Sequence, residues 1–206
     1  MPARSYAQFC GLARALDLVG ERWALLVIRE LLLGPRRFTD LLEGLPGIGT
    51  NVLTARLKEL EAAGIVTRRV LPPPAASKVY ELTEYGREIE PALVKLGLWG
   101  SKTLERPDPT HIFFRPEWTA IAFRAIFEPD QARGLHALVE FHLNETSLYF
   151  RIDDGTLEIT TTPPGEPDVR IATDLETYYA WRRGAMTTAD AIGAGRLHLD
   201  GDPELI

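Results

Sequence analysis

Cysteine is almost absent from this chain of 206 residues, which contains Cys10 and no other. A single thiol excludes an internal disulfide framework and is typical of a protein from a reducing cytoplasm. The sequence also lacks an apolar run of membrane-spanning length and a hydrophobic signal-peptide region. We therefore expect a cytoplasmic protein that does not span a membrane.

The residue patterns of catalysis are missing as well. The four histidines, which do not have metal-ligand spacing, are His111, His136, His142 and His198. Two of them, His136 and His142, would share one face of a strand. The sequence has no glycine-rich phosphate loop, no nucleophile elbow and no base near Cys10. We expect no catalytic residue, no metal and no cofactor, and predict that the protein is not an enzyme.

Charge is unevenly distributed between the two halves of the chain, whose net charge is −6. Residues 1–105 carry 14 Lys and Arg against 12 Asp and Glu, a balance of +2. Residues 106–206 carry 9 against 17, a balance of −8. An acidic second half repels DNA, while a locally basic first half can still hold phosphates. Length and charge together predict two domains with different functions.

The stretch from Gly34 to Leu82 has the layout of a winged helix-turn-helix. Two helices joined by a turn are followed by a basic two-stranded hairpin, whose tip is stiffened by prolines. Thr50 is a plausible N-cap of the second helix, and Gly64 ends it. The predicted elements are helix 38–43, turn 44–49, a helix from 50, strands 65–70 and 78–82, and the tip at 71–77.

The second helix of this motif has one apolar and one polar face. Leucines at helical spacing must face the core, and these are Leu53, Leu57 and Leu60. Asn51, Thr54 and Lys58 lie on the opposite face, where they have the chemistry to contact base edges and phosphates. The alternative is that they form only the solvated face of an amphipathic helix.

Basic residues around the motif complete a candidate DNA-binding surface. The arginines of the hairpin could contact DNA phosphates or the minor groove. Arg36 and Arg37, at the start of the motif, would lie beside the DNA backbone. Arg56, on the flank of the helix, could contact phosphate or pair internally with a carboxylate. The full candidate set is Arg36, Arg37, Thr50, Asn51, Thr54, Arg56, Lys58, Arg68, Arg69 and Lys78.

The first half closely resembles the HxlR-type winged-helix regulators, a branch of the MarR-like group. The resemblance covers about residues 8–104 and is carried by Cys10, LDLVGERW (16–23), RELLLGPRRF (29–38), LTARLKEL (53–60) and YELTEYG (80–86). It implies a homodimer that binds inverted-repeat operator DNA and is formed by the terminal helices of the module. Here those helices are predicted at 12–19 and 83–104. Dimerisation would also cover Leu93, Leu96 and Trp99, an apolar patch too large to leave in water.

Cys10 is a candidate redox site, because relatives with a cysteine near this position include sensors of oxidants or electrophiles. A sensor thiol needs a depressed pKa and solvent access. However, Gly11 follows Cys10 where the family motif has proline, and no second cysteine is present to resolve a disulfide. The alternative is a small buried hydrophobic residue at a dimer interface.

The second half is predicted to start after a stiff polar linker, 106–115, and to cover 116–206. The predicted elements are helix 116–127, strands 135–143, 147–153, 157–162 and 169–173, helices 174–183 and 187–193, and strand 196–199. Asp154-Gly155 is a hairpin signal. The whole chain is therefore predicted as α+β, a winged helix-turn-helix followed by an α/β sheet domain.

This half resembles the sterol-carrier-protein type 2 family over about 116–206. The matching segments are PDVRIATD (167–174), LETYYAW (175–181), Gly184 and AGRLHLDGD (194–202). The resemblance implies a curved sheet around an apolar cavity for lipids or acyl chains. Candidate lining residues are Trp118, Phe123, Phe127, Phe141, Leu148, Phe150, Tyr178, Tyr179 and Trp181. The alternative is that these side chains simply fill a core. The family continues with another helix after the Gly-Asp, so we expect a more open cavity or one sealed by a partner chain.

The sequence thus predicts a homodimeric, DNA-binding transcriptional regulator that is modulated by an apolar small molecule or lipid in its second domain. One alternative is a regulator that senses oxidants through Cys10, with the second domain as a passive support. Another is a lipid or acyl carrier whose winged helix docks a protein.

Overall fold

The structure is a computed structural model that describes residues 5–72, 76–103, 113–115, 117–202 and 205. It divides into two compact units, Met1–Trp99 and Gly100–Ile206. Residues 73–75 of the proline tip, residues 104–112 of the helix end and linker, and Pro116 lie outside the described residues. The predicted domain limits of 1–105, 106–115 and 116–206 stay predictions. Within the described ranges, no helix combines the length and the apolarity needed to cross a membrane.

The first unit contains a helix-turn-helix and a hairpin. Its elements are α1 (Gly11–Val19), α2 (Ala24–Leu32), α3 (Phe38–Gly44), α4 (Thr50–Ala62), β1 (Val66–Val70), β2 (Lys78–Leu82), α5 (Glu84–Arg87) and α6 (Glu90–Ser101). β1 and β2 are antiparallel, and Arg36 adds a short backbone bridge to Tyr80. The core combines Ile28 and Leu31 of α2 with Leu41 of α3 and the leucines of α4. The β1–β2 hairpin, which we call the wing, is therefore hydrogen-bonded to the segment that precedes α3.

Apolar periodicity in the sequence predicts a helix from Glu21 to Leu33, but α2 starts later, at Ala24. Gly20 ends α1, where an added Cβ would lie 2.5 Å from the backbone oxygen of Leu16. Trp23 then adopts a left-handed backbone with φ of +78°, a conformation that interrupts a helix and is uncommon for a bulky residue. The turn is thus built from three residues that a helical periodicity alone would include in α2.

The helix predicted from 83 to 104 is divided into α5 and α6. Thr83 caps α5 as predicted, since its Oγ1 accepts from the N–H of Gly86 at 2.9 Å and donates to the oxygen of Gly64 at 2.6 Å. The prediction of a single helix is wrong. Pro91 has no N–H to donate to the carbonyl of Arg87, so the series of helical hydrogen bonds is interrupted there. The predicted end at Leu104 lies outside the described residues.

The second unit contains a five-stranded mixed sheet and three helices in its described residues. The elements are α7 (Trp118–Ile126), β3 (His136–Leu143), β4 (Thr146–Asp153), β5 (Thr156–Thr160), β6 (Val169–Thr173), α8 (Leu175–Arg182), α9 (Thr188–Gly193) and β7 (Leu197–Gly201). The strand order is β5-β4-β3-β6-β7, with β3 and β6 parallel and the other pairs antiparallel. The predicted α+β class is confirmed.

Local turn and cap chemistry fixes several boundaries of this unit. Asp154 and Gly155 both have positive φ, +42° and +81°, as a two-residue hairpin turn requires. Asp174 caps α8 by accepting from the N–H of Thr177 at 2.7 Å. Thr187 likewise caps α9. Asp153 is the last residue of β4, in agreement with the predicted strand 147–153, and it pairs with His136.

The two faces of the sheet differ in character because side chains alternate along each strand. On β3, Val139, Phe141 and Leu143 are buried, whereas His136 and His142 are exposed and share a face as predicted. Ring contacts from Phe141 to Phe123 of α7 and to Tyr178 of α8 show that the helices cover the apolar face. The aromatic candidates are thereby brought together on one side of the sheet.

Candidate functional site

The outward face of α4 carries the side chains predicted to meet DNA. Leu53, Leu57 and Leu60 are buried, whereas Asn51, Thr54 and Lys58 are exposed. The predicted N-cap at Thr50 is wrong, because Gly49 has the extended backbone of the N-cap and Thr50 is the first helical residue. Thr54 Oγ1 donates to the Thr50 oxygen at 2.8 Å, while the Lys58 ammonium has no ion-pair partner among the described residues.

The basic residues of the surface differ in their partners. Arg37, Lys58 and Lys78 are exposed and make no ion pair within the part of the chain that the structure describes. Arg56, Arg68 and Arg69 are held by carboxylates of the same unit, whereas Arg36 is half-buried. Arg68 Nη2 lies 2.7 Å from Glu61, and Arg69 Nη2 lies 3.0 Å from Glu81. The three lone cations are therefore the groups most available to an external anion.

Arg56 shows the internal pairing that the sequence left as one of two options. Its side chain is only 15% exposed, and Nη1 contacts Glu59 and lies 3.6 Å from Glu21. Glu21 belongs to the turn between α1 and α2. The contact therefore ties the middle of α4 to that turn.

The entry to α3 is fixed by backbone contacts. Arg36 exchanges both backbone hydrogen bonds with Tyr80 of β2, at 3.0 and 2.8 Å. The N–H of Arg37 donates to Asp40 Oδ2 at 2.9 Å, which satisfies a free donor at the start of α3. Arg37 thus leaves its exposed guanidinium beside the helix-turn-helix on a well-ordered backbone.

Three residues that contact the arginines of the hairpin were missed by sequence reasoning. They are Tyr80, over whose ring the Arg68 guanidinium lies 5.5 Å from the centroid, and the carboxylates Glu61 and Glu81. The hairpin register contains the signal for the first, since Arg68 is directly opposite Tyr80. The wing arginines are consequently oriented by the protein before any DNA is present.

Cys10 is exposed and is the N-cap residue of α1. The backbone N–H groups of Ala13 and then Leu12 lower the pKa of the thiol below its ordinary value, although neither makes a well-formed capping hydrogen bond. A groove of about 260 Å³ between α1 and residues 85–89 is lined by the next residue, Gly11. The thiol therefore has both access and partial stabilisation of its thiolate form.

Helix α6 is unusual in that none of its twelve described residues is buried. Leu96 is 49% exposed and Trp99 is 70% exposed, while Leu12 of α1 is 70% exposed. Apolar side chains of this size are rarely left in water together.

Six of the predicted ligand-binding residues of the second unit make ring contacts in an aromatic cluster, and these are Trp118, Phe123, Phe141, Phe150, Tyr178 and Tyr179. Phe141, Leu148, Phe150 and Tyr178 are buried, and Trp118, Phe123, Phe127, Tyr179 and Trp181 are half-buried. Phe123 is the centre of the cluster, with its ring centroid 4.8 Å from Phe150 and 5.3 Å from Phe141. The observed contacts are those of packed rings, as the alternative of a filled core predicted for most of them.

Two further members of this region were not predicted. Phe114 connects Trp118 and Tyr179, at 6.2 and 6.1 Å between ring centroids. Arg182, in the last turn of α8, has a buried Nη1 without a hydrogen-bond partner among the described residues. Burial raises the pKa of Tyr178 to about 12, and the charge and hydrogen bond of Arg182 oppose that rise. No pattern in the sequence signals that this arginine is enclosed.

A two-helix motif with an exposed polar face, a basic wing and an unburied terminal helix defines a winged-helix regulator. The model of the HxlR-like helix-turn-helix family matches residues 18–108, and that of the SCP-2 sterol transfer family matches residues 124–206. The chain belongs to the HxlR-like family of transcriptional regulators, with a second half of the SCP-2 type. Both predicted resemblances are confirmed.

Known regulators are similar to the first half of the chain. The HTH-type transcriptional regulator sll1512 of Synechocystis sp. is 41% identical over 105 residues, which are 51% of this chain and 78% of the relative. The HTH-type transcriptional regulator YodB of Bacillus subtilis is 38% identical over 94 residues, 46% of this chain and 84% of the relative.

Solved structures are similar over the same region. The reduced form of YodB has 36% identity and a TM-score of 0.42, over 49% of this chain and 100% of that one. The redox regulator HypR in its oxidized form has 33% identity and a TM-score of 0.43, over 47% and 99% of the two chains.

Proposed function

We propose that the protein is a sequence-specific regulator that binds double-stranded operator DNA through α4. The observation that carries this proposal is the division of α4 into a buried leucine face and an exposed face with Asn51, Thr54 and Lys58. Asn can make two hydrogen bonds to adenine, and Thr can contact a base edge or a thymine methyl group. Lys58 supplies a charge that a phosphate would neutralise.

The wing and the entry of α3 flank this helix with additional cations. Lys78 on β2 and Arg37 before α3 are exposed and lack ion pairs within the described ranges, so binding a phosphate there breaks no internal contact. Arg68 and Arg69 would have to exchange Glu61 and Glu81 for phosphate. Such surface pairs contribute only about 0–1 kcal/mol, so the exchange costs little.

The operator-binding form is proposed to be a homodimer. The exposed Leu96 and Trp99 of α6 and Leu12 of α1 supply an apolar surface for a second copy. A two-fold dimer would present two α4 helices to half-sites about 34–36 Å apart. Inverted-repeat DNA has the same symmetry.

The second unit is proposed to bind an apolar small molecule that controls DNA binding. Support comes from the aromatic cluster and from the half-buried state of several of its members, including Trp118, Phe123 and Tyr179. A ligand that prefers one conformation of the dimer would change the fit of the two α4 helices to their half-sites. A coupling free energy of about 1–3 kcal/mol is sufficient for control.

DNA binding is tested by the salt dependence of the full chain and one lysine variant. A binding duplex is first selected from a random pool, and its Kd is then measured by fluorescence anisotropy at several salt concentrations. We expect Lys58→Ala to weaken binding and to reduce the slope of log Kd against log salt by about 1, the value for one lost phosphate contact.

Lys102→Ala is the matched control, because Lys102 is an exposed lysine beyond α6. It removes the same charge at a distance from α4 in the sequence and should leave the slope unchanged. Equal effects of the two variants, or binding without salt dependence, would show that α4 does not contact DNA.

A second candidate function is regulation through the Cys10 thiol. Its exposure and its lowered pKa favour this role. The DNA affinity of the wild type and of Cys10→Ser is compared with and without an oxidant. A response that is lost in the variant supports thiol sensing, and identical responses exclude it.

A further inference from the structure

One side of the outward face of α4 is apolar. Val52, in the first turn of the helix, is 42% exposed, and Ala55 is half-buried. Residues three or four apart are neighbours on a helix surface, so Ala55 lies next to both Val52 and Asn51. The exposed amide of Asn51 is therefore bordered by apolar side chains. This surface restricts the bases that the start of α4 can read.

The threonine on the other side of Asn51 has limited capacity to donate. Thr54 Oγ1 gives its proton to the backbone oxygen of Thr50 at 2.8 Å. The hydroxyl can still accept a hydrogen bond, but donation to a base would require that this internal bond break. Thr50 itself is exposed, and a threonine hydroxyl can pair with a donor or an acceptor, so it discriminates little between bases.

The groups that usually read a G·C pair are not available at the start of α4. Guanine presents two acceptors in the major groove and is read by Arg or Lys. In the first two turns of the helix, all of whose residues are described, Arg56 is held by Glu59, and Lys58 belongs to the third turn. Cytosine presents an amino group and is read by a carboxylate. Glu59 and Glu61 are paired with Arg56 and Arg68.

We propose that Val52 determines sequence preference by contacting the methyl group of a thymine beside the adenine that Asn51 contacts. The inference rests on the proposed DNA-binding function and narrows the operator to half-sites with A·T pairs opposite the start of α4. Thymine presents a methyl group in the major groove, and contact with valine removes both apolar surfaces from water. Ala55 extends the apolar surface and is too short to keep the helix away from the bases.

The test replaces thymines of the selected duplex, one at a time, by deoxyuridine, which removes only the methyl group. The Kd of the full-length protein is measured by fluorescence anisotropy for each duplex. We expect the wild type to bind about fourfold more weakly when the contacted thymine is replaced, the effect of one apolar carbon returned to water. Val52→Ala should bind the thymine and deoxyuridine duplexes equally well. Alanine favours the helix, so we expect this variant to fold.

Val70→Ala is the matched control, because Val70 is an exposed valine at the end of β1 and loses the same two methyl groups. It should keep the fourfold difference. A selected duplex without thymine in its half-sites, or a wild type that tolerates deoxyuridine at every position, overturns the thymine contact while DNA binding stands. A difference that persists in Val52→Ala, or that disappears in both variants, overturns the assignment to Val52. Failure to select any duplex overturns the DNA-binding proposal itself.

Discussion

At the scale of single residues, function depends on which charged groups remain available. Arg37, Lys58 and Lys78 are exposed and unpaired within the described residues, whereas Arg56, Arg68 and Arg69 are held by carboxylates. Composition alone does not decide how many of these six cations are free to bind an anion. The fold decides it, because it brings carboxylates next to Arg56, Arg68 and Arg69.

Cys10 provides a prediction at this scale. The N-cap position lowers the pKa of its thiol, so the thiolate should persist to lower pH than in a free cysteine. Since Cys10 is the only cysteine, alkylation of the whole chain by iodoacetamide reports this residue alone. We expect the rate to rise with pH with a midpoint below that of N-acetylcysteine in the same buffers. A midpoint equal to or above that of the model thiol would contradict the lowered pKa.

At the scale of secondary-structure elements, α6 is the element whose exposure is hardest to reconcile with a monomer. We expect the paired substitution Leu96→Ser and Trp99→Ser to convert a dimer into a monomer, because it removes two large apolar side chains from the proposed interface. Sedimentation velocity of the wild type and the variant at several concentrations measures the change.

Lys95→Ser is the corresponding control on α6, because it replaces an exposed polar side chain of the same helix. It should leave the dimer intact. A monomeric wild type, or a variant that remains dimeric, would be evidence against an interface at α6.

Most elements could be predicted from the sequence because their signals are local. Thr83, Asp174 and Thr187 cap the helices that follow them. Asp154-Gly155, a residue pair that favours positive φ, forms the two-residue hairpin turn. Boundaries were wrong where one backbone position outweighed the periodicity. The left-handed Trp23 delays α2, and Pro91 separates α5 from α6.

The candidate site was only partly predictable, for a different physical reason. The outward face of α4 follows from helical periodicity, and it was found. The contacts Arg69–Glu81 and Arg56–Glu21 depend on how separate elements pack, which no spacing along the chain encodes. The buried nitrogen of Arg182 belongs to the same class. Its burial depends on the packing of α8 in the second unit.

At the scale of the whole molecule, the proposed regulation requires that ligand binding by the second half and DNA binding by the first half are coupled. If an apolar ligand bound to the second unit changes the operator affinity, then operator DNA must change the affinity for that ligand by the same factor. With dodecan-1-ol as an apolar probe, we expect saturation to change the Kd for the selected duplex by about 5–150-fold, the usual range of such coupling. Both sides of the cycle are measurable by anisotropy and calorimetry.

Phe123→Ala provides the control for this coupling, because Phe123 is the centre of the aromatic cluster. It should lose the response to the ligand while keeping its DNA affinity without ligand. Equal operator affinity with and without the ligand, together with direct binding of the ligand, would mean that the second unit binds a ligand without controlling DNA binding.

The single exposed cysteine has a practical consequence for studies of the assembly. A nitroxide attached at Cys10 places one unpaired electron on each chain, so a two-fold assembly contains one spin pair and gives one dipolar frequency. Distances between protomers, with and without operator, become accessible without introducing or removing any residue. Because Cys10 immediately precedes α1, the distance between the two nitroxides reports the separation of the two α1 helices.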